Sequence, residues 1–179
     1  MTGWLLDTNI LSELRRPKPE PKVLAFIAEH PLEHLYVSAV TFVEIRFGIE
    51  LVADAGKRAE LNDWLAHKVR PMFEERVLAV TEDVMFKWRL LVEEGRKAGH
   101  TFSQPDLIIA ATALCHGLTI LSRDTSDYER VHAPVVDPWQ IWASLLSAAG
   151  RTGAPRRRLA HDSALRRRPR HARHTARAM

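Results

Sequence analysis

Trp4-Leu5-Leu6-Asp7-Thr8-Asn9 decides how this chain is read. A short apolar run stops at a carboxylate, and a hydroxyl and an amide follow directly. Strands buried on both faces of a parallel sheet read as such unbroken apolar runs. In open α/β sheets, ligands bind beyond the carboxyl ends of the strands, which is where Asp7 would stand. One acid does not define a site, so its meaning depends on which other acids the fold can bring to it.

Further strand candidates are short: 34–38, 76–80, 118–122 and 135–136, with the first at 3–6. Helical patterns lie between them. One starts at Thr8 and is broken by Pro17 and Pro19, and a second runs from Pro21 to about His30. Others fall at 39–53, 56–70, 82–98, 105–116 and 138–148. Strands alternating with helices predict an α/β domain, a mostly parallel central sheet flanked by helices. The gaps between strands are long enough for helical crossovers. No internal repeat is present.

The 179 residues suffice for one domain, and 46% hydrophobic content supplies a core. The net charge of +4 is unevenly spread. Residues 151–179 hold ten Arg and one acid, Asp162, giving +9. The remaining 150 residues hold 16 Lys+Arg against 21 Asp+Glu, giving −5. The organisation read from this is a domain at 1–149 and an Arg-rich tail at 150–179. The tail has too little apolar content to offset ordering entropy and reads as disordered. Overall basicity is therefore no argument for nucleic-acid binding by the domain itself.

A single cysteine, Cys115, excludes an internal disulfide framework and a multi-cysteine zinc site. Its apolar helical setting reads as a small core residue. No signal peptide or membrane span is legible, so the expectation is a soluble cytoplasmic protein.

Three more acids stand where crossovers could converge on Asp7. Glu44 lies in the second turn of an apolar helix, Ser38-Ala-Val-Thr-Phe-Val-Glu-Ile-Arg-Phe-Gly48. That helix reads as buried nearly all round, so its carboxylate should be paired or metal-bound. Asp106, in Ser103-Gln-Pro-Asp106, is explained equally well by helix capping and by chemistry. Asp124 follows the strand at 118–122 and competes with Asp127 in the same loop, and either could be an ordinary turn residue. Together the acids form a hard-oxygen set suited to Mg²⁺ or Mn²⁺, and their mutual repulsion would call for a cation.

At these residues the chain resembles PIN-domain proteins of the VapC/FitB type, the toxin half of bacterial toxin–antitoxin pairs. The matching stretches are Leu-Leu-Asp7-Thr-Asn, the Glu44 helix, Asp106-Leu-Ile-Ile-Ala-Ala-Thr-Ala, Leu-Thr-Ile-Leu-Ser-Arg-Asp124-Thr and Val-Val-Asp-Pro-Trp139. They cover roughly 3–142 in order. The resemblance implies metal-dependent endoribonuclease activity restrained by a small antitoxin. Asp7 and Asp106 would bind metal directly, and Glu44 and Asp124 directly or through water, completing the catalytic set. The Arg-rich tail departs from the family pattern.

The implied reaction is hydrolysis of an RNA phosphodiester by a metal-activated water. Thr8, Asn9, Arg46 and Arg123 are candidate substrate-binding residues. Arg46 could equally pair with the acids, and Thr8 could equally cap a helix. His116, on the apolar helix before Gly117, reads as structural. The runner-up is a FitB-like binding module, acting within an antitoxin-containing repressor that reaches DNA only through the antitoxin. A phosphoaspartyl enzyme is a third class, but the position two after Asp7 is Asn9 where dehalogenase-type phosphatases carry a second Asp. Apolar residues at 39–53 and 56–70, including Phe42, Phe47, Leu51 and Trp64, could serve an antitoxin helix or a C2 homodimer as well as the core.

Overall fold

The computed structural model describes residues 3–140. The expected helix at 138–148 lies almost wholly outside them. The domain boundary at 149/150 and the tail lie outside them entirely.

Five strands form one parallel sheet in the order β3-β2-β1-β4-β5. They are β1 Trp4–Leu6, β2 Leu35–Ser38, β3 Val77–Leu78, β4 Thr119–Leu121 and β5 Val135–Val136. Leu6 registers with Val37 on one side and Leu121 on the other, so β1 is central. Leu5 and Leu6 are both 0% exposed, because period-two alternation aims them at opposite faces and each face is covered. Leu6, Val37 and Leu121 meet Ile10, Phe26 and Phe42 on one side. Leu5 and Ile120 meet Val84, Leu91, Leu107 and Tyr128 on the other.

The chain winds outward from β1 through β2 to β3, then returns to place β4 on the far side of β1. The carboxyl ends of β1 and β4 therefore flank a topological switch point, where neighbouring connections leave in opposite directions and a crevice opens. The sequence puts Asp7 immediately after β1 and Ser122-Arg123-Asp124 immediately after β4.

The helices are α1 Thr8–Leu14, α2 Pro21–Glu29, α3 Ala39–Glu50, α4 Ala55–Trp64, α5 Arg70–Met72, α6 Glu82–Lys97, α7 Gln104–His116 and α8 Ser126–Arg130. Two local features differ from the expected pattern. The segment read as one helix at 56–70 widens into a π-helical turn at Leu65–Val69 before α5. The five residues of α8 carry too short a pattern to read as a helix. Gly117, at φ +63°, closes α7 in the left-handed conformation and gives its N–H to the Ala113 carbonyl.

Two burial expectations are corrected. The α3 helix is not buried all round: Thr41, Phe42, Ile45 and Ile49 face the core, while Val43 is 57%, Phe47 61% and Leu51 69% exposed. Its apolar residues fill two faces, and the fold covers only one. Cys115 is exposed, because it lies on α7 beyond the stripe Leu107, Ala110, Ala111 and Ala113 that packs inward. Among the described residues, no helix is long and apolar enough to cross a membrane.

Candidate active site

Asp7 is the N-cap of α1, held in extended backbone at φ −75° and ψ 164°. It is a buried charge candidate at only 5% exposure, so its oxygens need donors. Oδ1 accepts the Thr8 N–H at 2.6 Å. Oδ2 accepts the Ser122 hydroxyl at 2.6 Å and the Asn9 amide at 3.1 Å. The same Asn9 amide nitrogen donates to Ser122 Oγ at 2.9 Å, and Asn9 Oδ1 accepts the Arg123 N–H at 3.3 Å. Ser122 Oγ also accepts the Asp124 N–H at 3.1 Å. Its one proton and both lone pairs are thus used, and the ends of β1 and β4 are tied through side chains.

The remaining acids reach this point from three other elements. Glu44 comes from the second turn of α3, Asp106 from the first turn of α7, and Asp124 from the turn after β4. With Asp7, Thr8, Asn9 and Ser12 they line a cleft of about 390 Å³. Asp127 and Tyr128 of α8 complete its wall. All four expected acids and both polar neighbours of Asp7 are therefore brought together. Arg46 and Arg123 are not. Arg46 is on the exposed side of α3, and Arg123 lies 5.7 Å over the Trp139 ring.

The competition between Asp124 and Asp127 has a structural distinction. Asp127 Oδ1 sits 3.4 Å from both His100 Nε2 and Arg130 Nη1, so a guanidinium and an imidazole stand beside it. Asp124 accepts only a neutral hydroxyl, from Ser126 at 3.3 Å. Among the described residues no Lys, Arg or His forms an ion pair with Asp7, Glu44, Asp106 or Asp124. Arg46 in particular does not neutralise them.

Burial pushes the Asp7 carboxyl above its ordinary value, against the pull of the Ser122 and Thr8 hydrogen bonds, and the Asp124 charge adds to the rise. Asp106 is also raised, first by burial and then by the charges of Asp7, Asp124 and Asp127, while the Ser103 hydroxyl opposes the shift. Ser103 occupies the N-cap of α7 but makes no side-chain capping bond. The cap reading of this motif is therefore only half realised, and Asp106 turns to the cleft.

Two neutral residues were not singled out in the sequence. Ser122 joins Asp7 and Asn9, and the only signal for it was a hydroxyl at a strand end. Tyr128 is 2% exposed, and its hydroxyl borders the cleft close enough to Asp7 to interact with it, without reaching the geometry of a full hydrogen bond. Burial, followed by the negative charges of Asp7, Asp106 and Asp124, pushes its ionisation far up, so it is a neutral donor beside the acids.

Among the described residues no three His, Cys, Asp or Glu side chains gather tightly enough to hold one ion by themselves. The donor chemistry nonetheless fits a hard divalent cation: the cleft offers carboxylate oxygens without thiol or imidazole, and four of them lack a counter-charge. Mg²⁺ commonly keeps several waters and takes only one or two carboxylates directly, so an open arrangement suits it.

The chain matches the PIN domain family over residues 4–133. It is 35% identical over 136 residues to VapC ribonuclease Y4jK of Sinorhizobium fredii, covering 76% of this chain and 97% of the relative. It is also 35% identical over 135 residues to Toxin FitB of Neisseria gonorrhoeae, covering 75% and 97%. The solved structure of FitAB bound to an IR36 DNA fragment superposes with a TM-score of 0.70 at 33% identity, covering 76% of this chain and 95% of its counterpart. The chain belongs to the PIN-domain family, among proteins of the VapC/FitB type.

Proposed function

We propose that this protein is the toxin of a toxin–antitoxin pair and acts as a Mg²⁺- or Mn²⁺-dependent endoribonuclease. The observation that carries this reading is the set of four carboxylates without counter-charge at the switch point of a PIN-domain sheet. The name of one relative, a VapC ribonuclease, supports RNA as the substrate class, and that of another, Toxin FitB, supports the toxin role. We assign the catalytic unit to 1–149, with 150–179 as an appended basic tail.

Asp7 and Asp106 would hold the ion directly, and Glu44 and Asp124 would hold it directly or through water. When bound, the ion lowers the pKa of water and offsets charge on the phosphate oxygens. Thr8, Asn9 and Ser122 fix the Asp7 carboxylate so that its orientation is set before substrate arrives. With water as the nucleophile in place of the ribose 2′-hydroxyl, and the 3′-oxygen leaving with a proton, the products would carry 5′-phosphate and 3′-hydroxyl ends.

The partner is a small antitoxin through which DNA would be contacted; the FitAB complex of the relative is bound to a DNA fragment. The exposed stripe Val43, Phe47 and Leu51 of α3 is apolar surface suited to an antitoxin helix or to a second copy in a homodimer. The test is cleavage of single-stranded RNA by the purified protein with Mg²⁺ or Mn²⁺, with EDTA and Asp7→Asn as controls. Cleavage that survives either control defeats the metal mechanism. RNA binding without EDTA-sensitive cutting would favour the partner-binding module instead.

A further inference from the structure

A second groove opens next to the acidic cleft, between α1 and α4, and the Ser12 side of α1 lines both. At about 760 Å³ it is the larger of the two. Its charge has the opposite sign. Arg15, Arg16, Lys57 and Lys68 line it against Glu60 and Asp63. Both acids are already engaged, Glu60 by Lys57 at 2.7 Å and Asp63 by His67 at 2.9 Å. Arg15 and Lys68 form no ion pair among the described residues.

The groove is a built feature. Buried Glu13, 4% exposed, pairs with Arg16 at 3.2 Å and accepts the Glu20 N–H at 2.8 Å. That clamp fixes the turn carrying Arg15 and Arg16. Across the groove, Trp64 ends α4 and Lys68 falls in the π-helical turn Leu65–Val69. Such turns cost regular hydrogen bonding and recur at functional sites. The Arg15 guanidinium stands 5.8 Å over the Trp64 ring, making a flat cationic and aromatic surface.

We propose that this groove carries single-stranded RNA away from the scissile phosphate, with backbone phosphates on Arg15 and Lys68 and an unstacked base against the Arg15–Trp64 surface. The inference rests on the ribonuclease reading for its substrate class. Outside residues 151–179 the chain has a net charge of −5, and the cleft itself is acidic. A polyanion therefore needs a local cationic track that begins at the cleft, and this groove begins there. Phosphates on cations and bases on aromatic or guanidinium faces are how single strands are held without sequence readout.

The test uses the full chain in the Asp7→Asn background, so that RNA is not consumed. Binding of a short fluorescent single-stranded RNA is followed by anisotropy over a salt series, with and without Arg15→Ala/Lys68→Ala. Loss of two phosphate contacts should reduce the slope of log K against log salt by about 1.4. The Arg15→Lys/Lys68→Arg pair should restore it. With Asp7 intact, the alanine pair should raise KM far more than it lowers kcat, and more for a long RNA than for a dinucleotide. An unchanged salt slope and affinity overturn the proposal and leave the groove to a protein partner. If the wild-type chain cuts no RNA while the slope still falls, the nuclease reading fails and the groove assignment stands.

Discussion

The Ser122 hydroxyl donates to Asp7 Oδ2 at 2.6 Å, across 115 positions of sequence. This contact exists only because β4 returns to lie beside β1, so it ties the order of the sheet to the orientation of the proposed metal ligand. Replacing Ser122 with Ala removes that donor and also the acceptor used by Asn9 and the Asp124 N–H. Stranding such buried groups costs roughly 1–3 kcal/mol. Ser122→Ala is expected to lower the unfolding free energy measured by urea titration by that amount and to weaken Mn²⁺ binding. Wild-type values for both would show that Asp7 needs no support from β4.

Asp7→Asn and Asp106→Asn should both abolish RNA cleavage, but they should differ in stability. Asp7 accepts three hydrogen bonds, two of them on one oxygen. An Asn amide cannot accept at both ends, so Asp7→Asn loses capping and network contacts. Asp106 suffers repulsion from Asp7, Asp124 and Asp127, and its replacement by a neutral amide relieves it. The metal-free Asp106→Asn protein is expected to melt at or above the wild-type temperature, and Asp7→Asn below it. Calorimetry on the two proteins decides the order.

The raised carboxyls set a pH dependence. Asp7 and Asp106 have folded-state values above 3.8, so the folded state binds their protons more tightly than the unfolded state. Their contribution to stability is complete below about 3.8 and is lost as pH rises through the folded-state values. Metal-free protein should therefore show a component of stability that declines from acidic toward neutral pH, and Asp106→Asn should flatten it. A divalent ion that binds only the folded chain should recover stability at neutral pH, by about 2.7 kcal/mol at a hundredfold excess over Kd. A Tm at pH 7 that does not respond to Mg²⁺ or Mn²⁺ would count against an ion at this site.

Much of the architecture was legible because β1, β2 and β4 are buried runs whose residues have one reading, and the helices between them are long enough to show a period. The limits have physical causes. Val43, Phe47 and Leu51 are chemically the same as the residues of α3 that pack inward, so composition could not show which face is bare. The π-helical turn at Leu65–Val69 leaves the apolar pattern of α4 almost unchanged. In the site, Asp7 and Glu44 stood out because an acid directly after a strand or in an apolar helix is unusual, whereas Asp106 and Asp124, which capping and a turn explain equally well, gained meaning only from the set and the resemblance. Arg46 and Arg123 were inferred from adjacency in sequence, yet their side chains leave in other directions. Ser122 and Tyr128 were missed because neutral side chains gain meaning only from the neighbours that sheet order and α8 give them.

Tyr128 offers the sharpest single-atom test of that last point. Its ring is packed between the sheet and the helices of the second face, and its hydroxyl is buried beside Asp7 without reaching the geometry of a full hydrogen bond. A hydroxyl that makes a net hydrogen bond typically contributes about 1 kcal/mol, whereas one that is stranded is a cost. Tyr128→Phe keeps the ring and deletes only that group. The metal-free variant is therefore expected to be as stable as wild type or slightly more so. Because the hydroxyl is the neutral donor beside Asp7, cleavage should fall, but by less than in Asp7→Asn. A loss of stability near 1 kcal/mol in urea titration would show instead that the hydroxyl is already bonded in the metal-free protein.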